Sequence, residues 1–241
     1  MMHGISYFLS ITEMEVIMRQ NDRFGVRKMA LLAVFTAMAY AVTLIFRINV
    51  SFLTFDAKDA IVCITAMIFG PLSGVVVSLL VATIEQITVG DTAFWGWLMD
   101  FLSTATFSAV AGWIYVKRRN IAGVAIALVT AVIASVTVML LCNLLITPIY
   151  MGCEVGQVIT MIPTLLLPFN LAKYVLNAGL VLTLYKPLVT ALRAAKLLPK
   201  GNASAVQSIW SVRSLFFLLV AIVLICGSVL YLIFGLGGKI G

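Results

Sequence analysis

Apolar runs along this chain alternate with short polar breaks, at about 26–46, 58–69, 71–88, 94–116, 121–147, 164–190 and 213–236. A helix needs about 20 apolar residues to cross a hydrocarbon core ~30 Å thick, and most of these runs reach that length. The runs at 58–69 and 71–88 are shorter and meet at Gly70-Pro71. That pair either reverses the chain as a hairpin or kinks a single span over 60–84. Basic residues separate the two. With a hairpin and a cytoplasmic N-terminus, Arg19, Arg23, Arg27, Lys28, Lys117, Arg118, Arg119, Lys186, Arg193, Lys196, Lys200 and Arg213 all face the cytoplasm, and only Arg47, Lys58 and Lys239 lie outside. A single span would turn the Lys117-Arg118-Arg119 loop and the region 186–213 outward, reversing the positive-inside bias. The reading is therefore seven spans, with a cytoplasmic N-terminus and an extracellular C-terminus.

The spans divide the chain into four parts. Residues 1–24 read as a cytoplasmic extension: the apolar stretch Ile5 to Ile11 is short, Glu13 and Glu15 follow it, and no small-x-small cleavage site appears. Met14 and Met18 are alternative starts. Residues 25–195 form a six-helix membrane domain, 196–212 a linker containing Gly201-Asn202-Ala203-Ser204, and 213–236 an additional transmembrane helix. The polar segments 47–59, 85–94 and 148–164 fall on the outer side, the last bracketed by Pro148, Pro163 and Pro168. Together they can cap a site that opens outward.

Composition narrows the class. The chain is 63% hydrophobic and 10% charged, which marks an all-α integral membrane protein of the cell membrane. Its net charge of +7 comes from residues flanking helices, so topology explains it without a nucleic-acid partner. Cys63, Cys142, Cys153 and Cys226 are scattered and form no metal-like spacing with the single His3, so they read as small core residues and no metal or cofactor is expected. The tail Gly235-Leu236-Gly237-Gly238-Lys239 lacks the spacing and the following Ser/Thr of a phosphate-binding loop, so this chain does not hydrolyse ATP by itself.

Candidate chemistry begins with Asn170, Lys173 and Asn177, which share one face of an apolar helix. A charge at mid-bilayer costs on the order of 2.5–3.5 kcal/mol, so it persists where a polar cavity or partner receives it. The alternatives are an interhelical hydrogen bond or a lysine that reaches the interface. A second cluster, Asn143, Thr147 and Tyr150, occupies one face at the outer end of the fifth span. Each asparagine offers donors and an acceptor, which suits the edge of a heterocycle; interhelical bonding is the ordinary alternative. In the first outward loop, Phe55 can close over a ligand and Asp56 and Asp59 can accept from hydroxyls, although Asp59 can equally cap the second helix. Glu85 and Asp91 are expected to be exposed in an outer loop, Asp100 lies within a span and needs a partner, and Trp95 and Trp97 suit an interfacial belt. Ala30, Ala33, Ala37 and Ala41 form a strip of small residues that admits close helix approach.

Together these segments resemble the substrate-binding S component of an energy-coupling factor (ECF) transporter, specifically its riboflavin-binding branch. The resemblance covers about residues 26–192. It is carried by Phe55-Asp56-Ala57-Lys58-Asp59, Phe69-Gly70-Pro71-Leu72-Ser73-Gly74, Tyr115 to Asn120, Asn143 to Tyr150, and most specifically Leu167-Pro168-Phe169-Asn170-Leu171-Ala172-Lys173. It implies a non-catalytic subunit that binds a vitamin from outside and docks on a transmembrane T component powered by two ABC-type ATPases, through Ala33 and Ala37. It also implies that Asn143, Asn170 and Lys173 meet the flavin ring, and that the loaded subunit topples within the membrane. Two departures bear on the ligand. Val81-Ala82 stands where riboflavin members often have Lys-Asn, and Asp100 where they have Asn. The seventh span is outside the family's six-helix pattern.

Riboflavin is thus the first expected ligand, and another flat heterocyclic vitamin, such as a thiamine precursor or folate, the second. A self-sufficient secondary carrier would need a titrating acid at the midplane, for which Asp100 is the candidate. An intramembrane enzyme is disfavoured because no Ser/His, His/Glu or metal-ligand pairing falls within the spans.

Overall fold

The computed structural model describes residues 25–89, 93–118, 121–197, 212–237 and 239–240. The proposed extension 1–24, Asp91 and most of the linker lie outside these. Helix α1 spans Gly25–Ile45. A β-hairpin follows, β1 (Arg47–Val50) and β2 (Leu53–Asp56), then α2 (Lys58–Phe69), α3 (Pro71–Thr88), α4 (Ala93–Lys117) and α5 (Ile121–Met151). Next come α6 (Val155–Met161), a π turn (Ile162–Leu166) and α7 (Leu167–Ala194). The chain ends with α8 (Val212–Leu230), a second π turn (Tyr231–Gly235) and a short strand β3 (Lys239–Ile240). With α6, the π turn and α7 running on as one helix (Val155–Ala194), the described residues form a six-helix membrane bundle with one further C-terminal helix.

Among the described residues, four helices are long and apolar enough to cross a membrane: Gly25–Ile45, Pro71–Thr88, Ala122–Met151 and Val155–Ala194. By contrast, α2 has only 12 residues, on the order of 18 Å, too short to span alone. It does not need to, because every residue from Lys58 to Met67 is buried against its neighbours. This central helix meets protein on all sides, so its ends and its charges are satisfied by side chains instead of lipid or water.

Gly70, at φ 99°, turns the chain between α2 and α3. Only glycine takes that conformation without strain, and Pro71 then starts α3 where its missing N–H costs nothing. The arms lie so close that a Cβ on Gly74 would stand 2.5 Å from the Ala66 Cβ. Lys58 at the start of α2 bonds Glu85 near the end of α3, which establishes the reversal expected from charge parity.

Two expectations are corrected. The polar segment 148–164, expected to connect two spans, is itself mostly helical: α5 runs through Pro148 to Met151, and after a break around Gly152 the chain is helical again from Val155. Pro163 and Pro168 sit in or beside the π turn, a wider coil that accommodates their missing N–H groups. The first outward segment, in turn, is a hairpin whose turn places Ser51 at φ 55°.

Candidate functional site

A cavity of about 500 Å3 opens beneath the hairpin, between α3, α4, α5 and α7. Of the residues expected to bind ligand, Asn143, Thr147, Tyr150, Asn170, Lys173 and Asp100 line it. Phe55, Asp59 and Asn177 do not. Phe55 is fully buried in an apolar cluster under the hairpin and meets Phe46 edge-on at 6.0 Å. The other two belong to a layer behind the wall.

The two lining asparagines are held by their own helices. Asn143 donates to the Met139 carbonyl at 2.7 Å and accepts from Thr147 at 3.0 Å, while Asn170 donates to the Leu166 carbonyl at 2.8 Å. An amide has two donors and two lone pairs, so each keeps capacity for a ligand. Asn177 differs. Its Oδ1 accepts the Ala60 N–H at 2.9 Å, and its Nδ2 donates to the Asp56 carbonyl at 3.2 Å and the Lys173 carbonyl at 3.1 Å. It is an interhelical tie that caps α2. The anticipated cap, Asp59, instead accepts from Thr104 at 2.7 Å and pairs with Lys173 at 3.5 Å. Lys173 is therefore buried and paired, not extended to the interface.

An ion cluster that the sequence alone did not reveal forms part of the wall, with Lys58 behind its lining acids. Lys58, fully buried, pairs with Asp56 at 3.4 Å, Asp100 at 2.8 Å, and Glu85. Glu85 is thus a buried lining residue, contrary to the exposed loop position expected for it. The Asp100 side chain is 24% exposed and that of Lys58 0%, so a ligand meets carboxylate there and not ammonium. Burial alone would raise the Asp56 carboxyl, but the Lys58 and Lys173 ammoniums hold it below its ordinary value. Asp56 Oδ1, buried at the cavity, accepts no hydrogen bond among the described residues.

Aromatic groups complete the lining. Trp95 and Trp97, suited by sequence to an interfacial belt, face the cavity, as do Phe52 and Phe169. Trp97 donates to Thr83 at 3.2 Å and stacks on Phe101. Arg47, Gln86, Met99 and Ser103 are further lining residues that the sequence reading did not single out. One signal could have found Glu85: a tight hairpin at Gly70 brings the start of α2 beside the last turn of α3, where a buried Lys58 requires an acid.

A helical bundle with a short buried helix, a β-hairpin and a polar cavity beneath it has the make-up of a membrane protein that holds a small ligand. The profile of the family "ECF transporter, substrate-specific component" matches residues 27–185, and the chain belongs to that family. The structure is similar to one reported as "Structure and mechanism of the S component of a bacterial ECF transporter", with a TM-score of 0.60 and 23% identity, over 70% of this chain and 99% of that one. No curated protein matches the sequence significantly. Members of this family are the substrate-binding components of multi-pass membrane transporters that pair with a T component and ATPases. Helix α8 lies beyond the residues matched by the family.

Proposed function

We propose that this chain captures a planar heterocyclic vitamin, riboflavin first among them, from outside the cell for import by an ECF complex. The observation that carries this is the convergence of Asn143, Asn170 and Lys173 on one cavity with aromatic walls. A volume near 500 Å3 suits a vitamin-sized ligand. Two amides and an ammonium can fix carbonyl and ring-nitrogen edges, while Glu85 and Asp100 can accept from ligand hydroxyls. The hairpin side faces outward in this reading, with the N-terminus cytoplasmic. Delivery proceeds by docking of α1 on the T component, since Ala33 and Ala37 are exposed while Leu31, Phe35 and Ala39 turn inward.

A second reading, a cationic heterocycle, draws on charge. The cavity and the layer behind it hold four carboxylates (Asp56, Asp59, Glu85, Asp100) against three cations (Arg47, Lys58, Lys173), a net of −1. Ala82 lines the cavity where riboflavin members often have a polar side chain.

Flavin fluorescence of riboflavin titrated with detergent-purified protein decides between them. Saturable quenching that is lost in Asn170→Ala supports the first reading. Quenching of tryptophan emission by thiamine but not riboflavin supports the second, because Trp95 and Trp97 face the ligand. Absence of both signals would overturn both.

A further inference from the structure

Helix α8 ends beside the roof of the cavity. Its tail strand β3 pairs antiparallel with β1, Ile48 opposite Ile240 and Asn49 opposite Lys239, which makes β1 the central strand in the order β2-β1-β3. Below the sheet, Leu232 is fully buried in one apolar cluster with Val50 and Phe55 of the hairpin and Phe169 and Leu176 of α7. The register that brings Leu232 to this cluster begins where α8 crosses Gly179. A Cβ there would lie 3.0 Å from Ile225 Cγ1 and 3.2 Å from the Ala221 carbonyl oxygen. The absence of a side chain lets the two helices approach closely.

An isolated two-stranded hairpin is marginally stable, and gains independence from a third strand or an apolar face buried against a helix. This hairpin receives both from the C-terminal segment. Arg47 and Asn49 on the clamped strand line the cavity, so the roof cannot lift without opening the Leu232 cluster or stripping β3 from its edge.

We infer that α8 and its tail strand clamp the hairpin over the cavity, so that a segment outside the family match sets how quickly ligand enters and leaves. The clamp itself rests on the contacts above; its effect on ligand traffic rests on the proposed reading of the cavity as the vitamin site.

The test is amide hydrogen exchange over residues 47–56 in the full chain, with Leu232→Ala against Leu219→Ala. Leu219 is 62% exposed on the same helix and serves as the control. Leu232→Ala should speed exchange in the hairpin by about tenfold while α2 to α5 and the control keep parental rates. Should Leu232→Ala not fold, Ile240→Pro, which removes a backbone donor from the tail strand, takes its place. Unchanged exchange across 47–56 would overturn the clamp. Riboflavin release by stopped-flow flavin fluorescence should accelerate in the same variant; faster exchange with unchanged release would overturn the kinetic role. Faster exchange in a protein whose parent binds no riboflavin would sink the ligand reading and leave the clamp standing.

Discussion

Asn177 closes the amino end of α2 from another helix: its Oδ1 accepts the Ala60 amide at 2.9 Å. The same side chain donates to the Asp56 carbonyl, so one residue of α7 fixes both the first turn of α2 and the end of the hairpin. Asn177→Ala would take a partner from the buried Ala60 N–H and from the Asp56 carbonyl, a loss of about 1–3 kcal/mol for each group left unsatisfied. Thermal unfolding in detergent should show a clearly lowered midpoint. Asn170→Ala, which breaks only a bond to its own helix, should keep the midpoint near the parent value and lose ligand. Equal midpoints in both variants would deny Asn177 its structural role.

Lys58 pairs with Asp56, Glu85 and Asp100 at once, and Asp56 feels Lys173 as well. Its attraction to them offsets a large desolvation penalty, and removing it leaves Glu85 and Asp100 without their ion-pair partner, while Asp56 keeps Lys173 nearby. Lys58→Met should therefore destabilise by about 3–5 kcal/mol or abolish accumulation of folded protein. Adding Glu85→Gln and Asp100→Asn should recover most of that loss, since the stranded charge goes with them. If the triple variant is no better than the single one, packing of the lysine stem and not charge explains its burial.

Much of this site was legible because the sequence carries local signals for it. Asn170 and Lys173 stand out as polar positions in an apolar helix, and Gly70-Pro71 announces a reversal through the one conformation glycine adopts freely. Glu85 was not legible in the same way. It sits at the end of a helix beside a polar stretch, where an exposed acid is ordinary, and its partner is 27 residues away. Phe55 and Asn177 failed for a related reason: periodicity assigns a helix face or a loop, but it does not distinguish the cavity from the layer behind it. Pro148 misled because α5 carries it within the helix and continues to Met151.

Lys173 pairs with Asp59 and, in the proposed reading, also meets the ligand; the two roles can be separated. Lys173→Ala removes the proposed ligand donor and also leaves the buried Asp59 carboxylate, among the described residues, with the Thr104 hydroxyl as its remaining direct partner. Both binding and thermal stability should fall. Asp59→Asn in the same chain should restore most of the stability, because no buried charge remains, yet leave riboflavin binding lost. Recovery of binding in the double variant would show that Lys173 acts on the site only through Asp59.

On α1, Ala37 is exposed on the face opposite Phe35 and Ala39. Ala37→Leu should leave the isolated subunit folded and ligand-competent, since Ala37 is exposed among the described residues. Vitamin uptake by cells carrying the complete transporter should drop to background, because a leucine holds two helices apart where small residues let them touch. Uptake at the parental rate would remove this strip as the docking surface.

Asp100 is where the two ligand readings diverge most. It keeps one carboxylate partly open to the cavity while bonded to Lys58, which retains Asp56 and Glu85 if Asp100 is neutralised. Asp100→Asn should therefore be tolerated by the fold. With a neutral flavin as ligand, removing the surplus negative charge and supplying an amide should tighten binding by up to about tenfold, ~1.4 kcal/mol. With a cationic ligand, the same change removes the attracting charge from a site screened from water, and affinity should fall by well over about tenfold. Parallel titrations of riboflavin and thiamine on the parent and Asp100→Asn proteins measure this directly. Tighter riboflavin binding favours the neutral ring, a selective loss for thiamine favours the cation, and identical affinities in both proteins would place Asp100 outside the ligand's reach.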